Sequence, residues 1–305
     1  MTTSKFFFAS YFESVEQLEN ICRLAESLRE FGGRFGDSPV WAYHPETITI
    51  DTEKLKPLLK KYDIEVRASV IPEAARWFYY GGKAFAAAAA ETAVTDSNTV
   101  LVWIDNDAVV LSEPEEFDLP PGISLAYRPV MHNRSGSLYD NPPDAFWSRI
   151  YEKLALTDEM LFPMVTPADQ EKIRAYFHAG MLAVRPHRGV LRSWAEAFTS
   201  LCDDPKLVQM CKDDVVKRIF LHQTALTGAV LHRLTRDEMT ELSDKYNYPI
   251  FFEKQYGAKE VFNSIENAAV IRCELSNENI GDDWHRHLTG SPEKIAWLKE
   301  RLFKK

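Results

Sequence analysis

The chain has 305 residues, a net charge of -9 and 45% hydrophobic residues. That length and apolar share support a sizeable globular core. An acidic balance with scattered Lys and Arg argues against nucleic acid as a partner. Four cysteines (Cys22, Cys202, Cys211, Cys273) without a CxxC pair argue against a disulfide framework or structural zinc and point to a reducing compartment. The Phe6-Phe7-Phe8 cluster is too short for a signal-peptide core, and no apolar run reaches the ~18 residues of a membrane span. A soluble, cytoplasmic protein is expected.

In chain order, Lys5 to Tyr11 reads as a first strand. Val15 to Phe31 has the helical spacing Leu18, Ile21, Cys22, Ala25, Leu28, and Gly32-Gly33 stops it. Val40 to Tyr43 is a short second strand, Glu53 to Tyr62 an amphipathic helix, and Ile64 to Ile71 a third strand ended by Pro72. The run Ala74 to Ala93 is rich in alanine, a strong helix former. Gly81-Gly82 places the start of its main helix near Lys83. Val100 to Leu111 then forms a fourth strand whose apolar run is interrupted by Asp105-Asn106-Asp107. A continuous β-branched run of this kind suits a strand buried on both faces.

The second half alternates less regularly. Strands are expected at Gly122 to Tyr127, Tyr176 to Val184, Tyr246 to Phe252 and Ala268 to Cys273. Helices are expected at Ala145 to Leu156, Gly189 to Leu201, Asp213 to Leu234 and Pro292 to Phe303, with a long loop from Met131 to Asp144. The β-α-β-α-β-α-β opening with short connections predicts an α/β fold, a single Rossmann-like domain whose central, mainly parallel mixed sheet is flanked by helices. No repeat or linker divides residues 1–305. Residues 1–111, ending in the Asp-x-Asp strand, are expected to make one half of the domain and residues 112–305 the other.

Ligands in such sheets bind beyond the carboxyl ends of the strands, where Asp105 and Asp107 fall. Two carboxylates at i and i+2 there either serve turn chemistry or hold a hard divalent cation. Several further stations resemble one family, the GT-A glycosyltransferases that use nucleotide-sugar donors. Lys83 with the following Ala and Glu residues resembles the K…A…AE helix before their Asp-x-Asp strand. Tyr176-Phe177-His178-Ala179-Gly180-Met181-Leu182 resembles the YFNAGVLL strand of the glycogenin-like and galactosyltransferase-like retaining members. His222-Gln223-Thr224-Ala225-Leu226 resembles their DQDxLN segment, and Lys245-Tyr246-Asn247-Tyr248-Pro249 their LPxxWN segment. His178 replaces the family Asn, and His222 the first Asp of DQD.

The resemblance implies a metal-dependent transfer of a sugar from a nucleotide-diphosphate donor to an unknown acceptor. Asp105 and Asp107 would hold Mn²⁺ or Mg²⁺, which neutralises the departing diphosphate. The third ligand is expected at His287, with the alternative that Arg272 or Cys273 stands in its place. Lys83, Asn106, Arg128, His178, Ala179 and Gly180 would line the donor site. Gln223 would act near the anomeric carbon, or Asp214 would deprotonate the acceptor as in inverting members; Asp213 and Asp214 read equally as helix caps. Two other readings compete: a non-catalytic nucleotide-sugar or metal binder on the same scaffold, and a haloacid-dehalogenase-like phosphatase. The second normally carries its motif on the first strand.

Overall fold

A computed structural model describes residues 5–250, 262–273 and 284–302. The opening half runs β1 (Lys5–Tyr11), α1 (Val15–Phe31), β2 (Val40–Pro45), α2 (Lys56–Lys61), β3 (Ile64–Ser69), α3 (Glu73–Arg76), α4 (Gly82–Ala93) and β4 (Thr99–Ile104). There follow β5 (Ala108–Val110), β6 (Leu125–Pro129), α5 (Ala145–Lys153), β7 (Pro163–Val165), β8 (Lys172–Arg174) and β9 (Phe177–Val184). The remainder is α6 (Val190–Cys202), α7 (Pro205–Asp213), α8 (Val215–Arg233), β10 (Met239–Glu241), β11 (Tyr248–Pro249), β12 (Val270–Arg272) and α9 (Pro292–Arg301).

The main sheet has seven strands in the order β10-β6-β9-β4-β1-β2-β3. Strand β9 is antiparallel to both neighbours; every other pair is parallel. The central strand β4 explains its own composition. Val100 and Val102 pack with α1 residues Leu18, Ile21 and Leu28 on one face. Leu101 and Trp103 pack with Ala86, Ala87 and Ala90 of α4 on the other. Alternate side chains face opposite layers, so both sets must be apolar. Truncating Leu101 to Ala would cost about 2–5 kcal/mol.

The alanines of α4 let that helix lie close to the sheet, and its far end is fixed by a buried charge. Glu91 accepts hydrogen bonds from the backbone N–H groups of Leu191 (3.1 Å) and Arg192 (2.8 Å). Helix α6 begins at Gly189, which offers no capping side chain, so Glu91 satisfies the orphan donors from across the interface. Burial nonetheless holds its carboxyl above the ordinary range, against those bonds and Arg192. The Glu of the K…A…AE helix thus locks α4 in place, and the Lys works at the other end.

Several boundaries depart from expectation for local reasons. The fourth strand stops at Ile104, and β5 leaves the main sheet to pair antiparallel with β12. The expected helix from Asp213 is two: α7 ends at Asp213, and Asp214 caps α8 by accepting from Val216 and Lys217 N–H. The β7–β8 hairpin and the edge strand β10 are too short to show a period. Of the strand expected at Tyr246 to Phe252, only Tyr248–Pro249 pairs; residues 251 and 252 lie outside the described residues, as does Phe303 of the last helix. No described helix is long and apolar enough to cross a membrane.

Candidate functional site

A cavity of about 490 Å³ opens at the carboxyl ends of β1 and β4, lined by Tyr11, Tyr80, Lys83, Asp105, Asn106, Asp107, His178, Ala179, Gly180, Phe220, His222, Gln223 and Arg272, with polar residues of α1 on its outer side. Eight of the eleven residues proposed from sequence therefore meet in one place.

The Asp-Asn-Asp turn is held from three directions. Asp105 N–H donates to Gly180 carbonyl at 2.8 Å. Asn106 Nδ2 donates to Tyr11 carbonyl at 2.7 Å, tying the turn to the end of β1. Cys273 N–H donates to Asp107 carbonyl at 3.0 Å, tying it to the end of β12. The middle residue of the motif is thus a positioning group. Gly180 is required where it stands: a Cβ there would come within 2.2 Å of Asp105 Oδ2. Gly82, at the start of α4, is equally constrained, its Cβ position lying 2.0 Å from Tyr11 Oη.

Each carboxylate has a basic partner. Lys83 Nζ donates to Asp105 Oδ1 at 2.6 Å, both side chains largely buried. Arg272 Nε donates to Asp107 Oδ2 at 3.4 Å. Burial alone would raise the Asp105 carboxyl; Lys83 and Arg272 overcome it and hold the group below its ordinary range. The register Arg272 opposite Ala108 is what brings the guanidinium to the motif.

Two histidines complete the floor. His178 Nδ1 accepts from Gly180 N–H at 3.0 Å, which puts the proton of the neutral ring on Nε2. Arg272 Nη1 stands 3.3 Å from that Nε2. Burial and then the Arg272 charge push the His178 pKa down to about 3. His222 donates through Nδ1 to Ile219 carbonyl at 2.9 Å, and burial followed by Lys83 pushes its pKa down to about 3. Between them, Ala179 N–H donates to Gln223 Oε1 at 3.0 Å, and Ala179 carbonyl accepts from Trp103 Nε1 at 3.2 Å. The amide of Gln223 is thereby oriented at the cavity wall.

Three expected residues are elsewhere. Arg128 is buried, donating to Leu242 carbonyl at 2.6 Å with Glu241 at 3.6 Å, and does not reach the cavity. Asp214 serves as the cap of α8 and pairs with Lys217 at 3.1 Å. His287 follows the Trp284 turn beside the core of α9 and does not line the cavity. Arg272, the alternative at the third-ligand station, lines it instead. With Asp105 paired to Lys83, Asp107 to Arg272 and His287 away from the cavity, the described residues offer a metal two carboxylates and no third ligand. Among the described residues, no three His, Cys, Asp or Glu side chains are grouped to hold an ion. Sequence reasoning passed over Tyr11 and the α1 wall, although the strand-end rule for parallel sheets points to the end of β1 as well as of β4.

The fold is that of the GT-A glycosyltransferases. A family model described as "Rhodobacterales glycosyltransferase domain" matches residues 16–234, and the chain belongs to that family. Among solved structures, the galactosyltransferase LgtC in complex with donor and acceptor sugar analogs aligns with a TM-score of 0.51 at 13% identity, covering 98% of this chain and 97% of that one. Mouse xyloside xylosyltransferase 1 in its apo form aligns at 0.48 and 16% identity, covering 89% and 98%. The bifunctional glycosyltransferase WbbM aligns at 0.51 and 12% identity, covering 99% of this chain and 52% of that one. No curated protein sequence matches the chain. Family membership and the motif's place on the fourth strand set the phosphatase reading aside.

Proposed function

We propose that the cavity seats a nucleotide-diphosphate sugar and that the chain transfers the sugar to an acceptor hydroxyl. The observation that carries this is the convergence of Lys83, Arg272 and the His178 Nε2–H on one cavity at the strand ends. Arg272 Nη1 and His178 Nε2 stand 3.3 Å apart at the cavity, close enough for one anionic oxygen to meet both. Lysine and arginine each carry several N–H donors, so each can keep its carboxylate and also meet a phosphate.

In this reading Asp105 and Asp107 hold the two cations charged and in register. The acceptor hydroxyl oxygen forms the new bond to the anomeric carbon as the bond to the diphosphate breaks, Lys83 and Arg272 stabilise charge on the leaving oxygens, and the hydroxyl proton passes to the departing diphosphate or to solvent. Gly180 and Ala179 allow the sugar close to the backbone of β9, and Gln223 faces it from α8. The neutral His178 and His222 add hydrogen bonding without charge. The expectation of Mn²⁺ or Mg²⁺ comes from the carboxylate pair and the family resemblance; Asp105 and Asp107 would hold such an ion, and no step here runs through it. Release of free sugar from UDP- or GDP-sugars by the purified chain, lost in Asp105→Ala, is the expected result. Turnover undiminished in that variant would remove the site from the reaction.

A further inference from the structure

The rim of the cavity carries a group of aromatic residues, of which Trp77 and Tyr79 lie outside the donor site and Tyr80 at its edge. Trp77, Tyr79 and Tyr80 are 39%, 47% and 49% exposed and lie together between α3 and α4. Exposed aromatic patches of this kind mark binding surfaces. Arg218 of α8 lies over two of the rings, its guanidinium carbon 4.8 Å from the Trp77 centroid and 4.3 Å from the Tyr79 centroid. Its Nε is covered and makes no hydrogen bond, so a ligand at this aromatic face would meet the other N–H groups of the guanidinium.

The group is continuous with the cavity. Val215, Arg218 and His222 follow i, i+3, i+7 along one face of α8, from an exposed valine to a histidine on the cavity floor. Tyr80 bridges the same gap from the other side. Its ring lies 5.9 Å from the His222 ring and 4.7 Å from Lys83 Nζ. Its backbone has φ of 56°, a left-handed conformation uncommon for a bulky residue and of the kind held at functional sites.

We propose that this rim is the acceptor platform and that the acceptor is a saccharide, an assignment that rests on the donor reading above. A pyranose has an apolar C–H face edged by hydroxyls. It matches flat rings with polar edges beside a guanidinium donor. The sugar lies on Trp77 and Tyr79, Arg218 bonds its hydroxyls, and Tyr80 directs one hydroxyl over the rim toward the donor. A lipid tail would find no use for the guanidinium or the phenol hydroxyls.

The test applies the full chain, saturated with the nucleoside diphosphate it binds best, to a printed oligosaccharide array. The wild type retains a set of related glycans. Trp77→Ala/Tyr79→Ala loses at least tenfold of that signal, while Trp77→Phe/Tyr79→Phe keeps most of it. Nucleoside diphosphate affinity, read by calorimetry on the same proteins, is the same in all three and reports that the alanine variant is folded. No glycan retained by the wild type, or equal retention by the alanine variant, overturns the platform. Failure of any nucleoside diphosphate to bind the wild type would instead overturn the donor reading.

Discussion

The inner wall and the outer rim of one cavity are built on opposite plans. Inside, Lys83 and Asp105 are 12% and 13% exposed and 2.6 Å apart, and the backbone around them is bonded to β1, β9 and β12. At the rim, the side chains of Trp77, Tyr79 and Tyr80 are open to solvent and make ring contacts with Arg218, Lys83, Phe78 and His222. A wall that stabilises developing charge gains from groups fixed before the substrate arrives. A surface that meets a variable hydroxyl compound gains from broad apolar faces and few fixed bonds. Mutations of the inner wall should therefore harm the fold as well as binding, and those at the rim recognition alone.

The largest effect is expected inside. Lys83→Met leaves the Asp105 carboxylate buried without its ammonium, and breaking such a pair costs about 3–5 kcal/mol. Denaturant unfolding reads this directly; a loss below about 1 kcal/mol would class the pair with surface ion pairs. Gly180→Ala is next. Its methyl group must push Asp105 aside, an overpacking worth about 1–3 kcal/mol, and nucleotide binding should fall with it. Stability and binding both unchanged would show that the β9 backbone yields more than its contacts imply.

Acidification gives a smaller and directional test. An unfolded histidine takes up a proton near pH ~6.5, whereas His178 and His222 in the fold do so only at about 3. The unfolded chain therefore binds more protons across that window, and stability falls as pH drops from ~6.5 toward 3. Asp105, whose folded value is lowered, adds a loss in the same sense below the ordinary carboxylate range. His178→Gln should flatten the upper part of the slope, and an unchanged slope would mean that ring already carries charge. The smallest effect is that of metal. Because each carboxylate already has a cation, Mn²⁺ should change nucleoside diphosphate affinity by less than about threefold, under ~1 kcal/mol. Tenfold tightening would restore a metal held by Asp105 and Asp107.

The same contrast explains what the sequence made legible. The alternating β and α segments and the buried fourth strand follow from periodicity, and the place of Asp105 follows from strand ends in a parallel sheet; Lys83, His178 and Gln223 were legible only through the resemblance of their segments to GT-A family motifs. The partner of Asp107 did not, because it depends on the register between β12 and β5 across more than 160 residues. His287 and Arg272 were both open until that register was known. Asp214 reads as base or cap from sequence alone, and only the N–H groups it meets decide for the cap. Arg128 is a basic residue at a strand end, as the donor site requires, but on β6, toward the far side of the sheet from β1.

The inner wall is expected to bind a diphosphate through Lys83 and Arg272. Calorimetric titration with a panel of uridine, guanosine, adenosine, cytidine and thymidine diphosphates tests it most directly, comparing the wild type with Arg272→Met. At least one nucleotide should bind the wild type and lose affinity by about 10- to 100-fold in the variant, as expected for one charged hydrogen-bonding group. No binding by the wild type to any of them, or equal affinity in Arg272→Met, would contradict the account.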